Sequence, residues 1–204
     1  MSGLATHWIV PSPGEHTCSI CLNKVNDGDA VMTCACQGGH GFHKNCLSQW
    51  LPQARNCPYC QAQVGIFQGN QPKDGYMGIE TRGFSLAGFN CATIIITYNL
   101  EDGIQSNNHP EPGKAYTGTY RKAFLPFNSE GLETLRLLKI AWDNGNIFHI
   151  GESLTTGRKN TVCWGTIPHK TMPNTDINQY IEFGFPDNDY FERVKYQCNN
   201  LGIY

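Results

Sequence analysis

Runs of apolar residues that follow a regular pattern are concentrated in the later part of the chain, where they predict ordinary secondary structure. The β-branched run at 92–98 is bounded by polar turns, which is typical of a buried strand. Residues 116–124 alternate less regularly and predict another strand, and residues 147–150 and 161–164 predict two short ones. One stretch between these strands and one after the last of them follow a helical period instead.

Two stretches with apolar residues three or four positions apart predict helices in the same region. Asn128 or Ser129 can cap the first helix, and the turn-forming residues 143–145 end it. Its apolar face is predicted to contain Leu135, Leu138 and Trp142. The second helix starts near 187–189 and ends at Gly202, with a buried stripe of Tyr190, Val194, Cys198 and Leu201. Intermixed strands and helices predict the α+β class.

Residues 18–61 depart from this pattern, because they contain only one short amphipathic segment. Residues 44–51 predict a helix with Leu47, Trp50 and Leu51 on one side, and Pro52 discourages its continuation. A segment this short cannot bury a core of the usual size. The chain is therefore predicted to consist of an N-terminal tail (1–17), a small domain (18–61), a compact turn-rich joint (62–75) and a larger domain (76–204).

The composition adds a local excess of cysteine. The chain has 204 residues, ten cysteines and seven histidines, and seven of the cysteines lie between Cys18 and Cys60. A formal net charge of −2 argues against a nucleic-acid-binding surface. No apolar run approaches the ~18 residues of a membrane span, and residues 1–15 lack the pattern of a secretory signal. We therefore expect a reducing compartment, cytoplasmic or nuclear, where clustered cysteines bind metal.

Four close pairs of cysteine and histidine in the small domain are candidate metal ligands. They are Cys18 with Cys21, Cys36 with His40, His43 with Cys46, and Cys57 with Cys60. A C-x2-C pair places two thiolates on one turn, at a separation that one zinc ion can bridge. Each tetrahedral zinc needs two pairs, so the pattern predicts two Zn²⁺ ions. Cys34 competes with Cys36 for the third ligand position, and the shorter spacing to His40 favours Cys36.

This pattern resembles a RING finger of the variant with histidine at the fourth and fifth ligand positions. The resemblance implies interleaved sites, one formed by Cys18, Cys21, His43 and Cys46 and the other by Cys36, His40, Cys57 and Cys60. A PHD finger is the rival zinc fold, but it expects cysteine at the position of His40.

The same resemblance implies a partner, because RING fingers bind a ubiquitin-conjugating enzyme (E2). The usual apolar contacts with the E2 correspond to Ile20, Trp50 and Pro58 in this chain. Many RING ligases also carry a basic residue just after the last zinc ligand, which steadies the charged ubiquitin. This chain has Gln61 at that position.

Several motifs run through the rest of the chain. They include Gly-Asn-Gln-Pro at 69–72, Thr-Ile-Ile-Ile-Thr-Tyr at 93–98, Thr-Thr-Gly at 155–157, Trp-x-x-Ile-x-His-Lys-Thr at 164–171 and Gly-Phe-Pro-Asp at 184–187. Together with the RING-like segment they are similar to the Deltex family of ubiquitin ligases, over roughly residues 18–204. The resemblance implies a RING-type E3 ubiquitin ligase whose partners are a ubiquitin-charged E2 and a protein substrate, either ADP-ribosylated or in the Notch signalling pathway.

The larger domain resembles the Deltex carboxy-terminal domain, which implies binding of ADP-ribose or NAD near the Thr-Thr-Gly loop and the 164–171 motif. Candidate contacts for this ligand are Ser153, Thr155, Thr156, Gly157, Trp164, His169 and Phe185.

The family's chemistry in this domain uses a histidine and a glutamate, and the resemblance places these on Pro168 and Gln197. The proline side chain has no hydrogen-bonding group, and a glutamine amide cannot act as a base near neutral pH. We therefore predict no catalytic residue in the larger domain, and no NAD-dependent modification of ubiquitin.

Three functions are compatible with the sequence. The favoured one is an active RING E3 whose second domain docks substrate or ADP-ribose without the special chemistry. The alternatives are an ADP-ribose- or NAD-binding adaptor that steers ubiquitination of ADP-ribosylated targets, and a non-enzymatic interaction protein. Neither nucleic acid nor a membrane is expected as a direct partner.

Overall fold

The structure is a computed structural model that describes residues 16–25, 31–33, 40–50, 54, 56–61, 66–153 and 155–204. The chain divides into two compact units, Met1–Ile66 with Asn200–Gly202 and Phe67–Asn199 with Ile203–Tyr204. Within the described residues, no helix has the length and apolar character needed to span a bilayer.

The described part of the first unit contains two short hairpins and a helix. The strand β1 (His16–Thr17) pairs with β2 (Lys24–Val25), and β3 (Val31–Thr33) pairs with β4 (Gly41–His43), both antiparallel. The helix α1 (Lys44–Trp50) follows β4 directly, which confirms the helix predicted here. Residues 51 and 52, which were predicted to end it, lie outside the described part of the chain.

The buried core among the described residues of the first unit is very small. Within this part of the chain the fully enclosed side chains are Cys18, Phe42, Leu47 and Cys57, and Ile20, Val25, Cys46 and Trp50 pack against them. Two of the four buried side chains are thus candidate metal ligands. A core of this size cannot offset the conformational entropy of folding by itself.

The second unit is built on a three-stranded antiparallel sheet. Its strands are β5 (Gly75–Arg82), β6 (Thr93–Leu100) and β9 (Thr119–Pro126), with β6 in the centre. Two-stranded ribbons pair β7 (Gly103–Ile104) with β8 (Ala115–Tyr116), and β10 (Phe148–Gly151) with β11 (Thr161–Trp164). Strands and helices are mixed in this unit, which confirms the α+β class.

The central strand β6 is mostly buried because it has a neighbour on each side. Ile96 lies between Ile79 of β5 and Ala123 of β9, and its side chain faces the core. The predicted strand at 116–124 is divided between β8 and β9. Gly118 lies at the break, where the backbone oxygen of Leu100 would meet an added Cβ at 2.0 Å.

The helix α2 (Ser129–Asp143) starts and ends at the predicted signals. The Asn128 side chain caps it by accepting a hydrogen bond from the Gly131 amide at 2.9 Å, and Gly145 follows its end with a positive φ of 72°. The buried side is Gly131, Thr134, Leu137, Leu138 and Ala141. Of the predicted face, Leu138 is buried, whereas Leu135 and Trp142 are half-buried at its edge, where the Trp142 ring contacts Tyr98 and Phe148.

The helix α3 (Tyr190–Asn200) packs through Tyr190, Phe191, Val194 and Cys198. Just before it, Asp187 accepts hydrogen bonds from Lys170 at 2.6 Å and from both terminal nitrogens of Arg193. Arg193, opposed by partial burial and supported by Lys170, lowers the pKa of Asp187 to about 2. This ion pair joins the 164–171 motif to the start of α3.

Candidate functional site

Four of the predicted metal ligands come together in the first unit. Cys18, Cys21, His43 and Cys46 each offer one ligand atom, and these atoms all lie within 4.8 Å of one another. Cys21 Sγ, for example, lies 3.4 Å from His43 Nδ1. The turn after β1 supplies the first two residues, whereas the end of β4 and the first turn of α1 supply the others.

A second cluster combines His40, Cys57 and Cys60, whose ligand atoms also lie within 4.8 Å of one another. Cys57 Sγ is 3.6 Å from His40 Nδ1. The fourth predicted ligand, Cys36, and its competitor Cys34 lie outside the described residues. The two clusters are interleaved along the chain, since His40 belongs to one and His43 to the other.

Both C-x2-C pairs are held by the same backbone turn. The amide of Leu22 donates to the Cys18 carbonyl at 2.7 Å, and the amide of Gln61 donates to the Cys57 carbonyl at 2.9 Å. The donor residue has a positive φ in each case, 60° for Leu22 and 61° for Gln61. A residue in the left-handed region thus closes each turn directly after the second cysteine of the pair.

The donor set of these clusters fits zinc. Burial alone would raise the pKa of Cys18, but hydrogen bonds with the backbone of Cys21 and His43 and with the His43 side chain lower it to about 6. Burial, followed by the neighbouring Cys21 and Cys18 thiols, raises the pKa of Cys46 to about 11. Thiols this close cannot all ionise unless a cation offsets their repulsion. Zn²⁺ with thiolate and imidazole ligands would do so.

The predicted E2 contacts surround the first unit's core. Ile20 and Trp50 are half-buried and pack against it, and Pro58 is half-buried in the turn between Cys57 and Cys60. Two large apolar side chains next to them are exposed, Leu22 by 77 % and Tyr59 by 67 %. Sequence reasoning did not select these two, although each lies next to a predicted contact or ligand.

The second unit contains an open cavity of about 470 Å³ between α3 and the loop after β11. Its lining is Thr166, Pro168, Asp189, Glu192, Arg193, Tyr196 and Gln197. Glu192 and Arg193 lie one helical turn before Tyr196 and Gln197, so these four residues share one side of α3, and Asp189 directly precedes the helix. Pro168 and Gln197, where the resemblance placed the family's catalytic pair, thus line the same cavity.

The charges of this cavity are already partly paired. Arg193 is its only cation among the lining residues, and the guanidinium is bound to Asp187 at 2.6 and 3.1 Å. Glu192 pairs with Lys195 at 3.1 Å. An anionic ligand would have to compete with Asp187 for Arg193.

The seven sequence-predicted ligand contacts do not line this cavity. Thr155, Thr156 and Gly157 lie in an exposed loop that Ser153 closes by accepting the Gly157 amide at 2.7 Å. Gly157 has a positive φ of 67° and nothing within 4 Å of an added Cβ.

His169 and Phe185 pack in the interior instead, and Trp164 is half-buried beside His169. His169 is 8 % exposed, stacks on Trp164 with ring centroids 4.3 Å apart, and lies 3.0 Å from the Tyr98 hydroxyl. Burial lowers the pKa of His169 to about 4, so the ring is neutral. Phe185 is 1 % exposed. The sequence-predicted contacts and the cavity lining are therefore different residues, and sequence reasoning did not select Asp189, Glu192, Arg193 and Tyr196, which line the cavity.

Comparisons with known proteins agree with the division of the chain into two units. The Deltex C-terminal domain model matches residues 68–203, and the Ring finger domain model matches residues 16–61. The probable E3 ubiquitin-protein ligase DTX3 of Homo sapiens is 36 % identical over 191 residues, which is 93 % of this chain and 53 % of the relative. The E3 ubiquitin-protein ligase DTX1 of Xenopus laevis is 33 % identical over 215 residues, 95 % of this chain and 34 % of the relative.

The chain belongs to the Deltex family, with a RING domain followed by a Deltex C-terminal domain. It spans between about a third and a half of the length of these curated relatives.

Proposed function

We propose that this chain is a RING-type E3 ubiquitin ligase. In this proposal residues 18–61 hold two zinc ions, and the surface formed by Ile20, Trp50 and Pro58 binds a ubiquitin-charged E2. A substrate lysine amine then attacks the thioester, forming an isopeptide bond and releasing the E2 thiol. The chain's part is to bind and orient the E2, and no side chain of this chain enters the bond exchange.

The observation that supports this proposal best is the interleaving of the two Cys/His clusters. His40 and His43 bracket β4 and yet belong to different clusters, so the two sites constrain each other through one short strand. Zinc bound at both sites would fix the turn that carries Ile20 relative to the turn that carries Pro58. A rigid surface between the two turns is what the recruitment of an E2 requires.

Ubiquitin transfer with a panel of E2 enzymes tests this proposal. We expect wild-type chain to form ubiquitin conjugates and Trp50→Ala to form almost none, because an indole at the centre of an interface typically dominates its affinity. Ile177→Ala is the matched control, since this apolar side chain is 61 % exposed on the second unit. Wild-type protein with two bound zinc ions that is inactive with every E2 would refute the ligase and favour the non-enzymatic interaction protein.

For the second unit we propose a docking role. The cavity brings Pro168 and Gln197 together, so a ligand could occupy the family position without an acid or base to act on it. ADP-ribose, or a substrate that carries it, is the ligand class that the family resemblance favours. A reducing location, cytoplasmic or nuclear, would keep the thiol ligands of the first unit available.

Calorimetry with ADP-ribose tests the docking role. We expect binding that Tyr196→Ala weakens, because this ring lines the cavity, and that Tyr180→Ala leaves unchanged, because that ring is 87 % exposed elsewhere. Absence of heat up to millimolar ADP-ribose would contradict the proposal. Restoring Pro168→His together with Gln197→Glu asks in addition whether NAD-dependent modification of ubiquitin appears.

A further inference from the structure

A chain of hydrogen bonds connects two of the predicted E2 contacts. The Trp50 indole donates to the backbone carbonyl of Asn56 at 3.0 Å. The Asn56 side-chain amide donates to the side-chain oxygen of Gln61. The Gln61 side-chain nitrogen in turn donates to the Pro58 carbonyl at 3.3 Å. Trp50 at the end of α1 and Pro58 in the zinc turn are therefore linked through Asn56 and Gln61.

Gln61 completes this series of hydrogen bonds with both its side-chain amide and its backbone amide. The side-chain oxygen accepts from Asn56, the side-chain nitrogen donates to Pro58, and the backbone amide donates to Cys57 at 2.9 Å. The backbone adopts a positive φ of 61°, which turns the side chain back across the loop. A side chain held by two hydrogen bonds within its own loop is not available to reach a second protein without breaking them.

We propose that Gln61 is a positioning residue that sets the spacing of Trp50 and Pro58 in the E2-binding surface. The inference rests on the proposed ligase function and deepens it. Gln61 occupies the position where many RING ligases carry a basic residue that contacts ubiquitin. In this chain the residue acts inside the loop, so its effect falls on E2 affinity and not on the transfer step.

Steady-state transfer rates measured against the concentration of ubiquitin-charged E2 separate the two effects. Gln61→Ala removes both side-chain hydrogen bonds and keeps the bond from Trp50 to the Asn56 carbonyl, so the position of Pro58 relative to Trp50 is less tightly constrained. We expect KM for the charged E2 to rise about fivefold, the effect of a typical lost hydrogen bond, while kcat changes less than about twofold. Gln179→Ala, an exposed glutamine on the second unit, is the matched control and leaves both constants unchanged.

A double-mutant cycle tests whether the effect passes through Asn56. Asn56→Ala removes the side-chain amide and keeps the carbonyl that accepts from Trp50, so it breaks only the link to Gln61. If the two residues act in one chain, the double variant raises KM about as much as Gln61→Ala alone. Additive effects of the two substitutions would overturn the proposal.

Two further outcomes are decisive. A fall in kcat with unchanged KM for Gln61→Ala would assign Gln61 to ubiquitin and overturn the positioning role. If Gln61→Ala binds less zinc than wild type, Gln61→Glu provides the test, because it keeps the acceptor for Asn56 and replaces the donor to Pro58 with a carboxylate oxygen that cannot donate. Its expected KM is above the wild-type value, and a wild-type KM would contradict the proposal. Loss of transfer in Trp50→Ala, measured in parallel, shows independently whether the E2 surface itself is correct.

Discussion

The two units of this chain reach stability by different routes. The second unit encloses a sheet, two long helices and many fully buried apolar side chains, among them Tyr98, Ile96 and Leu138. Among the described residues of the first unit, the enclosed side chains are Phe42 and Leu47 together with two cysteines. Where the apolar core is missing, clusters of thiol and imidazole groups take its place. Metal should therefore be essential to one unit and irrelevant to the other.

Removing zinc should give the largest effect and affect the first unit alone. Structural zinc contributes on the order of 10 kcal/mol to domains that cannot fold without it. We expect two zinc ions per chain, and we expect a strong chelator to abolish the native NMR signals of Phe42 and Leu47. Signals of Ile96 and Leu138 should persist.

Cooperative loss of both units at one chelator concentration would contradict this division, as would a first unit that keeps its signals without metal. A zinc content of one or none per chain would refute the pair of interleaved sites.

A large core substitution in the second unit should show the opposite behaviour. Leu138→Ala empties space at a fully buried position on α2, and such changes cost roughly 2–5 kcal/mol of the free energy of unfolding. Denaturant unfolding of the second unit measures this loss, while zinc content stays unchanged. Leu132→Ala on the exposed side of the same helix is the matched control and should cost less than about 0.5 kcal/mol. Equal effects of the two leucines would show that the buried side has been misassigned.

His169 makes the second unit sensitive to mild acid. Because burial lowers its pKa from 6.5 to about 4, the unfolded chain takes up the proton first. The contribution of neutral His169 is thus complete above about pH 6.5 and is lost as pH falls towards 4, with a total of about 3 kcal/mol. The imidazole accepts from the Tyr98 hydroxyl only when it is neutral.

Unfolding curves of the second unit between pH 7 and 4 measure this dependence. His169→Gln should flatten it, whereas His149→Gln on β10 should not. An unchanged pH dependence in His169→Gln would place His169 in contact with solvent, as the sequence-based ligand assignment expects.

Helix capping should give the smallest effect. Asn128→Ala leaves the Gly131 amide without its side-chain acceptor and should destabilise the second unit by about 1 kcal/mol. Ser129→Ala, the alternative cap considered from the sequence, should change little because Ser129 is already helical. A larger loss from Ser129→Ala in denaturant unfolding would reverse this assignment.

The sequence predicted those elements whose physical signal is local. The strand β6 has a continuous β-branched run, and α2 has an N-cap and a glycine stop, so both were confirmed within about two residues at each end. The strand β5 was not predicted. Its two glycines and exposed side chains interrupt the apolar alternation, and Gly78 lies under the ring of Tyr76, where a Cβ would meet the ring at 2.8 Å.

The second-unit cavity was only partly predictable. Two linear motifs marked His169 and Phe185, but the sequence alone does not show whether a motif residue faces a ligand or the interior. The cavity is formed where residues of α3 meet Pro168, and this pairing depends on tertiary packing. The spacing of four residues from Gln197 back to Arg193 and Asp189 was the signal that could have identified which side of α3 lines the cavity.

Ubiquitin transfer measured with and without ADP-ribose and NAD tests the central claim most directly. The two-unit account places E2 recruitment in the first unit and finds no acid or base at Pro168 and Gln197. It therefore predicts conjugation of ubiquitin to protein without either nucleotide, loss of conjugation in Trp50→Ala, and no ubiquitin modified by ADP-ribose. Transfer that requires NAD, or ADP-ribosylated ubiquitin formed by the unaltered chain, would contradict it.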